Sequence, residues 1–219
     1  MTRSWLVATL SIFGLAAAAE ARADIVAGVA QIQAGYADGR GVAGAQQDEA
    51  FFEGAAGPSY GARAGIELLF ATAWVEHNQF LGDGGVQGTW TQFMAGIGHE
   101  FGVGSTMKGM SVDEEGIPTG GYSAYFGEVG LGVGFGVGTG QQVEPPLSNS
   151  QITDKGIVGQ VTIGGGYRLS EMLSVGVQVP VQGAYLFKSG SEVFANDEET
   201  HYQSIHAAAL VNLRLRLGF

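Results

Sequence analysis

The carboxyl-terminal residues alternate between apolar and polar side chains too strictly for a helix. From Ala209 onward one face carries Ala209, Val211, Leu213, Leu215, Leu217 and Phe219, and the other carries Leu210, Asn212, Arg214, Arg216 and Gly218. A repeat of two residues is the period of a β-strand. An apolar face opposite a polar face suits a barrel strand with lipid outside and a polar lumen inside. The strand therefore predicts a transmembrane β-barrel.

Seven further alternating runs precede this strand, and turn residues separate them. The runs are residues 25–36, 60–68, 70–81, 89–103, 122–138, 155–167 and 173–187. Each is near the ~10 residues that a tilted strand needs to cross a bilayer. We therefore predict an all-β fold, a closed antiparallel transmembrane β-barrel of eight strands in an up-and-down meander.

The first 23 residues have the pattern of a secretory signal peptide. Arg3 gives a positive start, an apolar core spans residues 5–15, and Ala21, Arg22 and Ala23 form a small-x-small cleavage site. The apolar run is shorter than the ~20 residues of a transmembrane helix. We expect a signal peptide at residues 1–23 and one barrel domain at residues 24–219.

The composition narrows the class of protein further. Without Arg3, Arg22 and Glu20, the 10 basic and 21 acidic residues become 8 and 20, a net charge of −12. Such a balance argues against a nucleic-acid partner, whose phosphates attract basic surfaces. The chain has no cysteine, so it has no disulfide framework, and no motif indicates a cofactor or a metal site.

Glycines alternate with apolar residues between residues 129 and 138. A nucleotide-binding loop would require a helix directly after the glycines, but Thr139 to Pro146 contain no helix signal. Inward glycines instead leave room for long side chains from the opposite wall of a barrel.

Strand parity places eight charged residues on the inner face of the barrel. They are Arg63, Glu67, Glu76, Glu100, Glu128, Arg168, Arg214 and Arg216. Enclosed charges persist when they are paired and hydrogen-bonded. We therefore predict a self-neutralising structural network in the lumen, with Gln31 and Gln33 as further partners of Arg214 and Arg216.

The connections between the runs predict a topology. With the amino terminus in the periplasm, the outer loops are residues 37–59, 82–88, 139–154 and 188–200, whereas residues 104–121 are long for a periplasmic turn. Pro180 predicts a local bulge, because proline cannot donate to the ladder. Aromatic residues near strand ends predict interfacial girdles, and they are Trp90, Tyr125, Phe126, Tyr167, Tyr185 and Phe187.

The terminal residues also carry a resemblance to a known class. Leu215, Leu217 and Phe219 resemble the terminal signal by which bacterial outer-membrane barrels are recognised for insertion. The whole mature chain resembles the small eight-stranded outer-membrane barrels, the porin-like class of the OmpA transmembrane domain, OmpW and OmpX. The resemblance implies a monomer in the outer membrane of a Gram-negative bacterium, with lipid, lipopolysaccharide and the barrel-assembly machinery as partners.

Three classes of function fit such a barrel. An eight-stranded barrel is just wide enough to be filled by its own side chains, which favours a non-enzymatic structural or surface-binding protein that acts through acidic extracellular loops. A narrow channel or carrier for small or apolar molecules is the first alternative. The second is a lipid-modifying enzyme, an acyl hydrolase or acyltransferase, for which Ser204 and His206 share one strand face. They point inward, away from lipid, so we predict no catalytic residues.

Overall fold

A computed structural model gives the fold of the chain. It describes residues 26–44, 57–81, 87–108, 111–112, 118–119, 121–144, 148–189 and 201–218. The predicted signal peptide and Phe219 lie outside these residues. Among the described residues, no helix has the length and apolar character needed to cross a membrane.

Ten strands make up the described structure. They are β1 Val26–Gly44, β2 Gly57–Leu68, β3 Ala71–Leu81, β4 Gln87–Lys108, β5 Ser111–Val112, β6 Pro118–Thr119, β7 Tyr122–Glu144, β8 Ser148–Arg168, β9 Leu173–Ser189 and β10 His201–Gly218. Strands β5 and β6 form a small separate sheet. The other eight form the barrel.

The eight barrel strands are antiparallel neighbours in chain order, and β1 closes the ring on β10. The closing pair places Gln31 opposite Arg214 and Ile32 opposite Leu213. Closure leaves no unpaired sheet edge, which a membrane-spanning sheet requires. The predicted all-β meander of eight antiparallel strands is confirmed.

The pairing register fixes the tilt of the strands. A path that starts at Tyr167 in β8 and crosses the other seven strands through paired residues returns to β8 at Lys155, twelve residues away. This offset is roughly 40 Å along the strand against about 38 Å across eight strands, so the tilt is about 45°. Tyr167 and Lys155 are then separated by about 28 Å along the barrel axis, close to the height of an outer-membrane apolar band.

The outer face of the barrel is apolar on every strand. Representative side chains, each at least 37% exposed, are Ile32, Ile66, Val75, Phe93, Val133, Ile163, Val177 and Val211. A continuous apolar surface of this kind is unfavourable in water and matches the hydrocarbon of a bilayer.

The two ends of the barrel differ in their connections. At the N-terminal end, where β1 begins and β10 ends, a two-residue turn at Leu69 and Phe70 joins β2 to β3, and residues 169–172 join β8 to β9. Leu69 has a φ of 56°, a left-handed conformation that is rare for a residue other than glycine. The opposite end, here called the loop end, carries the segments 45–56 between β1 and β2 and 190–200 between β9 and β10, whereas the equally long segment 109–121 at the N-terminal end contains β5 and β6.

Two predicted loops prove to be partly strand. Residues 139–154 were expected to form an outer loop, but β7 and β8 pair as far as Glu144 and Ser148. Residues 104–121 contain the end of β4 and the sheet of β5 and β6, and the β4–β7 register shifts between Val103 and Met107. Backbone pairing continues there, although the apolar alternation used for prediction has ended.

The bulge predicted at Pro180 is absent from the described strand. Gln182 pairs with His206 and Gln178 with Leu210, so the register of β9 and β10 is the same on both sides of the proline. Between these positions Ala207 still pairs with Val181, and the pairs at Pro180 and Val179 are missing. Pro180 therefore removes its own backbone donor from the ladder without adding a residue to the strand.

Candidate functional site

The lumen is the candidate functional site, because strand alternation directs most polar side chains into it. Three layers fill the described lumen, and they are named from the N-terminal end upward. The ion-pair cluster consists of Glu100, Glu128, Arg168 and Arg214; the amide layer of Gln31, Gln33, Glu76, Asn78, Gln92, Gln160, Gln178 and Gln182; and the aromatic plug of Phe80, Trp90, Val158, Leu186 and Tyr202.

Arg214 of β10 lies at the centre of the ion-pair cluster. Its Nη1 is 3.0 Å from Oε2 of Glu100, and its Nη2 is 2.5 Å from Oε2 of Glu128. Its Nε donates to Oε1 of Gln31 at 3.2 Å. Arg168 forms an ion pair with the other carboxylate oxygen of Glu100. Each buried charge thus has an opposite charge in hydrogen-bonding geometry, as an enclosed site requires.

A second ion pair lies at the same end of the barrel. Arg216 Nη2 is 3.3 Å from Oε2 of Glu67. The buried ring of Phe126 lies beneath the ion-pair cluster, with the guanidinium carbons of Arg168 and Arg214 at 5.4 and 5.8 Å from its centroid. An aromatic face next to two cations adds cation–π attraction to the ion pairs.

Glu76 of β3 anchors the amide layer and makes no direct ion pair with a described arginine. Its Oε1 accepts hydrogen bonds from Gln33 Nε2 and from Asn78 Nδ2, both at 2.7 Å. Its Oε2 accepts from Gln92 Nε2 at 3.1 Å, and Gln92 also donates to Gln160 at 3.1 Å. Three amide donors therefore stabilise a carboxylate that is 4% exposed.

The remaining glutamines continue the amide layer across the barrel and connect it to the ion pairs. Gln182 Nε2 donates to Gln160 at 2.8 Å, and Gln31 Nε2 donates to Gln178 at 2.8 Å. Gln178 Nε2 in turn donates to Glu128 at 2.5 Å. The hydrogen-bond network thus joins opposite walls and two layers.

Bulky side chains close the loop end of the lumen. Trp90, Tyr202, Phe80 and Leu186 are at most 2% exposed. Trp90 Nε1 donates to Gln92 at 3.0 Å, which links the plug to the amide layer below it. The hydroxyl of Tyr202 donates to Asp154 at 2.6 Å. The polar tips of both aromatic side chains are thus satisfied inside the barrel.

Inward glycines make room for Trp90 of the plug and for Trp74, as the sequence indicated. A Cβ built on Gly136 would lie 2.1 Å from Cζ2 of Trp90, and one built on Gly132 would lie 2.5 Å from Cη2 of Trp74. Both distances are far below van der Waals contact. The glycines of β7 therefore form the wall against which the two indoles pack.

The girdle prediction was wrong for two of its six aromatic residues. Trp90 and Phe126 are 0% and 4% exposed and face the lumen. Trp90 lies two residues before the inward-facing Gln92, and Phe126 lies two residues before the inward-facing Glu128. Residues two apart on a strand share a face, so the sequence already indicated this orientation. Tyr125 and Tyr167 lie on the outer face near the N-terminal end with their ring centroids 5.2 Å apart, and Tyr185 and Phe187 lie 5.3 Å apart near the loop end.

The eight charged residues singled out from the sequence all face the lumen, but they are not all joined by ion pairs. Six of them make the ion pairs described above. Glu76 belongs to the amide layer. Arg63 stacks on Trp74 instead, with its guanidinium carbon 4.2 Å from the ring centroid. The aromatic plug was missed, although the glycines opposite it were a signal for large partners.

The remaining residues singled out from the sequence lie on β10, some on its outer face and some in the lumen. Leu215 and Leu217 lie exposed on the outer face of β10. Ser204 and His206 are buried in the lumen; the Ser204 hydroxyl makes no hydrogen bond to any described residue, and His206 packs edge-on against Phe80 at 5.5 Å. No catalytic pair is therefore formed at these two positions.

The described residues form no metal cluster, and two apolar grooves lie on the outer face of the barrel. No group of three or more His, Asp or Glu side chains there is arranged to hold a metal ion. Two shallow apolar grooves, of about 580 and 610 Å³, open on the outer face, one beside Tyr125 and Tyr167 and the other beside Val75 and Phe93. Both grooves face lipid.

The closed barrel, its apolar outer face and its polar lumen together define a small eight-stranded β-barrel of the bacterial outer membrane. Known structures agree at the level of the fold. The crystal structure of Neisserial surface protein A (NspA) is similar with a TM-score of 0.52 and 13% identity, over 86% of this chain and 97% of that one.

The crystal structure of the outer-membrane protease OmpT from Escherichia coli matches more weakly. The TM-score is 0.35 at 9% identity, over 87% of this chain and 97% of that one, a likeness too low to support an argument about activity. No family model matches the sequence, and no curated protein is significantly similar to it.

Proposed function

We propose that this chain is a non-enzymatic, monomeric outer-membrane barrel that acts as a structural or surface-binding protein through acidic loops at its loop end. The observation that supports this proposal is the filled lumen. Ion pairs, amide hydrogen bonds and an aromatic plug follow one another along the barrel axis. A barrel filled in this way leaves its outer face and its loops to interact with other molecules.

The orientation follows from the unequal ends of the barrel. Outer-membrane barrels have short periplasmic turns and longer extracellular loops. The two-residue turn at Leu69 and Phe70 therefore favours a periplasmic N-terminal end. The acidic residues Asp48, Glu49, Asp197, Glu198 and Glu199 then belong to extracellular segments, where they would meet cations and cationic partners. On the outer face, lipopolysaccharide and lipid are the expected neighbours. The barrel-assembly machinery would recognise Leu215, Leu217 and Phe219 at the carboxyl-terminal strand.

Two observations favour this proposal over a carrier and over a lipid-modifying enzyme. A carrier for apolar molecules needs an apolar lumenal cavity, whereas the two apolar grooves face lipid. An acyl hydrolase or acyltransferase needs a nucleophile and a base in contact with acyl chains, whereas Ser204 and His206 face inward. A lipid A mass spectrum that is identical with and without the gene is the expected result.

The proposal is tested by complementing a gene deletion with two variants. One variant replaces residues 45–56 and 190–200 by short Asn-Gly turns. The other carries Gln160→Ala in the lumen and keeps the loops. Heat-modifiable mobility on gels checks that both barrels are folded. We expect the loop-deleted barrel to fold yet fail to restore the surface-binding property that the deletion removes from wild-type cells. The lumen variant should restore that property. Full restoration by the loop-deleted barrel would refute a role for the loops.

A further inference from the structure

Four polar side chains interrupt the apolar outer face of the barrel on β2, β3 and β4. They form the outer polar patch, which consists of Tyr60, His77, Gln79 and Thr91. Strand alternation places each of them on the same side as the exposed apolar residues Ile66, Val75 and Phe93. The patch therefore faces the bilayer and not the lumen.

The patch makes two internal hydrogen bonds, which use only part of its capacity. The Tyr60 hydroxyl donates to Oε1 of Gln79 at 2.5 Å. Nδ1 of His77 lies 2.8 Å from Oγ1 of Thr91, within hydrogen-bonding distance. The amide nitrogen of Gln79 and the second ring nitrogen of His77 make no hydrogen bond with a described residue. Such groups are costly in hydrocarbon, where nothing can pair with them, so the patch requires water or lipid headgroups beside it.

The strand register gives the height of the patch along the barrel axis. The path of paired residues from Tyr167 around the barrel to Lys155 makes eight steps from strand to strand. Because the whole path rises about 28 Å, each step rises about 3.5 Å. The path reaches His77 after five steps and Thr91 after six. The lower edge of the patch therefore lies about 18 Å above Tyr167 and about 10 Å below Lys155.

The opposite side of the barrel stays apolar to a greater height. The path reaches outward-facing Val137 of β7 after seven steps, at about 25 Å. On β8, β9 and β10 the exposed side chains at about 23 to 27 Å are Ile157, Tyr185 and Ile205. The upper edge of the apolar band is therefore about 7 Å lower at the patch than on the opposite side.

We infer that the outer polar patch is a contact surface for the lipid headgroups of the leaflet at the loop end, which approach the bilayer centre more closely here than on the opposite side. The phosphate, ester and hydroxyl oxygens of headgroups accept hydrogen bonds, as the amide of Gln79 requires. A bilayer that thins locally, or a barrel that tilts, does so at a modest cost per ångström. Polar groups held at hydrocarbon depth without partners are more costly. The inference does not depend on the function proposed above.

Two spin labels at equal height on opposite sides of the barrel test the inference. The chain has no cysteine, so Ala62→Cys and Val161→Cys each carry a single label. Ala62 is reached after four of the eight steps, and Val161 lies halfway between Tyr167 and Lys155, so both exposed positions lie about 14 Å above Tyr167. Power saturation with oxygen and a nickel chelate measures the depth of each label in lipid vesicles. We expect the label at position 62 to lie about 7 Å closer to the headgroups than the label at position 161.

A barrel with an apolar patch is the matched control. It carries Tyr60→Phe, His77→Leu, Gln79→Leu and Thr91→Val, and in this background the difference in depth between the two labels should disappear. Equal depths with the patch intact would overturn the inference. So would a label at position 62 that is shielded from both oxygen and the nickel chelate, because a second copy of the chain would then cover the patch. If the control does not fold, the comparison of the two labels with the patch intact still decides.

Discussion

At the scale of single residues, the lumenal ion pairs hold walls of the barrel together. Arg214→Ala would leave Glu100 and Glu128 with fewer partners in an enclosed site. We expect the free energy of unfolding to fall by about 3 kcal/mol, the lower end of the cost of breaking a buried ion pair. Urea unfolding in lipid vesicles measures the change. Arg40→Ala removes the same side chain from an exposed position and should shift the midpoint little; equal shifts would mean that the lumenal pairs are hydrated.

The turn at Leu69 offers a gain in stability. Leucine at a φ of 56° carries a steric cost of roughly 1 to 2 kcal/mol that glycine avoids. Leu69→Gly should therefore stabilise the barrel by up to ~1 kcal/mol, because part of the relief is offset by backbone entropy. Phe70→Gly, at the neighbouring exposed position with an ordinary φ, should give no gain. A lower urea midpoint for Leu69→Gly would show that the leucine contributes more through packing than it costs in strain.

Residue orientation could be predicted from the sequence, whereas residue pairing could not. A period of two assigns each side chain to a face, and all eight charged lumenal positions followed it. Partner choice depends on which long side chains reach which wall. Arg63 and Glu76 are opposite in register, yet amide groups occupy the carboxylate. No local pattern in the sequence encodes that competition.

At the scale of the element, β7 provides two glycines in different surroundings on one inner face. A Cβ built on Gly136 would lie 2.1 Å from the Trp90 ring, whereas one built on Gly130 would find its nearest atoms at 3.8 Å, an ordinary van der Waals distance. Gly136→Ala should destabilise the barrel by about 1 to 3 kcal/mol, the usual cost of overpacking. Gly130→Ala should be tolerated. Urea unfolding of the two variants side by side tests the packing of the plug; equal midpoints would mean that the Trp90 ring is not seated against β7.

Element bounds were predictable only where one face meets lipid. Within the bilayer the apolar alternation identified all eight strands. Beyond it, residues 139–144 and 148–154 are mostly polar, so the pattern reads as a loop although the backbone ladder continues. Ladder hydrogen bonds are made by the backbone, and they need no apolar face where two strands are already aligned.

At the scale of the whole molecule, the strand register and tilt give a barrel of the width at which side chains can fill the lumen. An offset of twelve residues around eight strands sets a barrel whose interior is filled by side chains. Ion pairs, amide hydrogen bonds and the aromatic plug follow one another along the lumen. We therefore expect the wild-type barrel to be closed to ions, and the proposed function depends on this closure.

Planar-bilayer conductance tests the closure most directly. The wild type, reconstituted at low density, should show no sustained conductance steps. A variant with Gln92, Gln160 and Gln182 replaced by alanine removes part of the amide layer without touching the outer face, and it should conduct more often. Sustained ohmic conductance of the wild type, at a level that the triple variant does not change, would contradict a lumen filled by side chains.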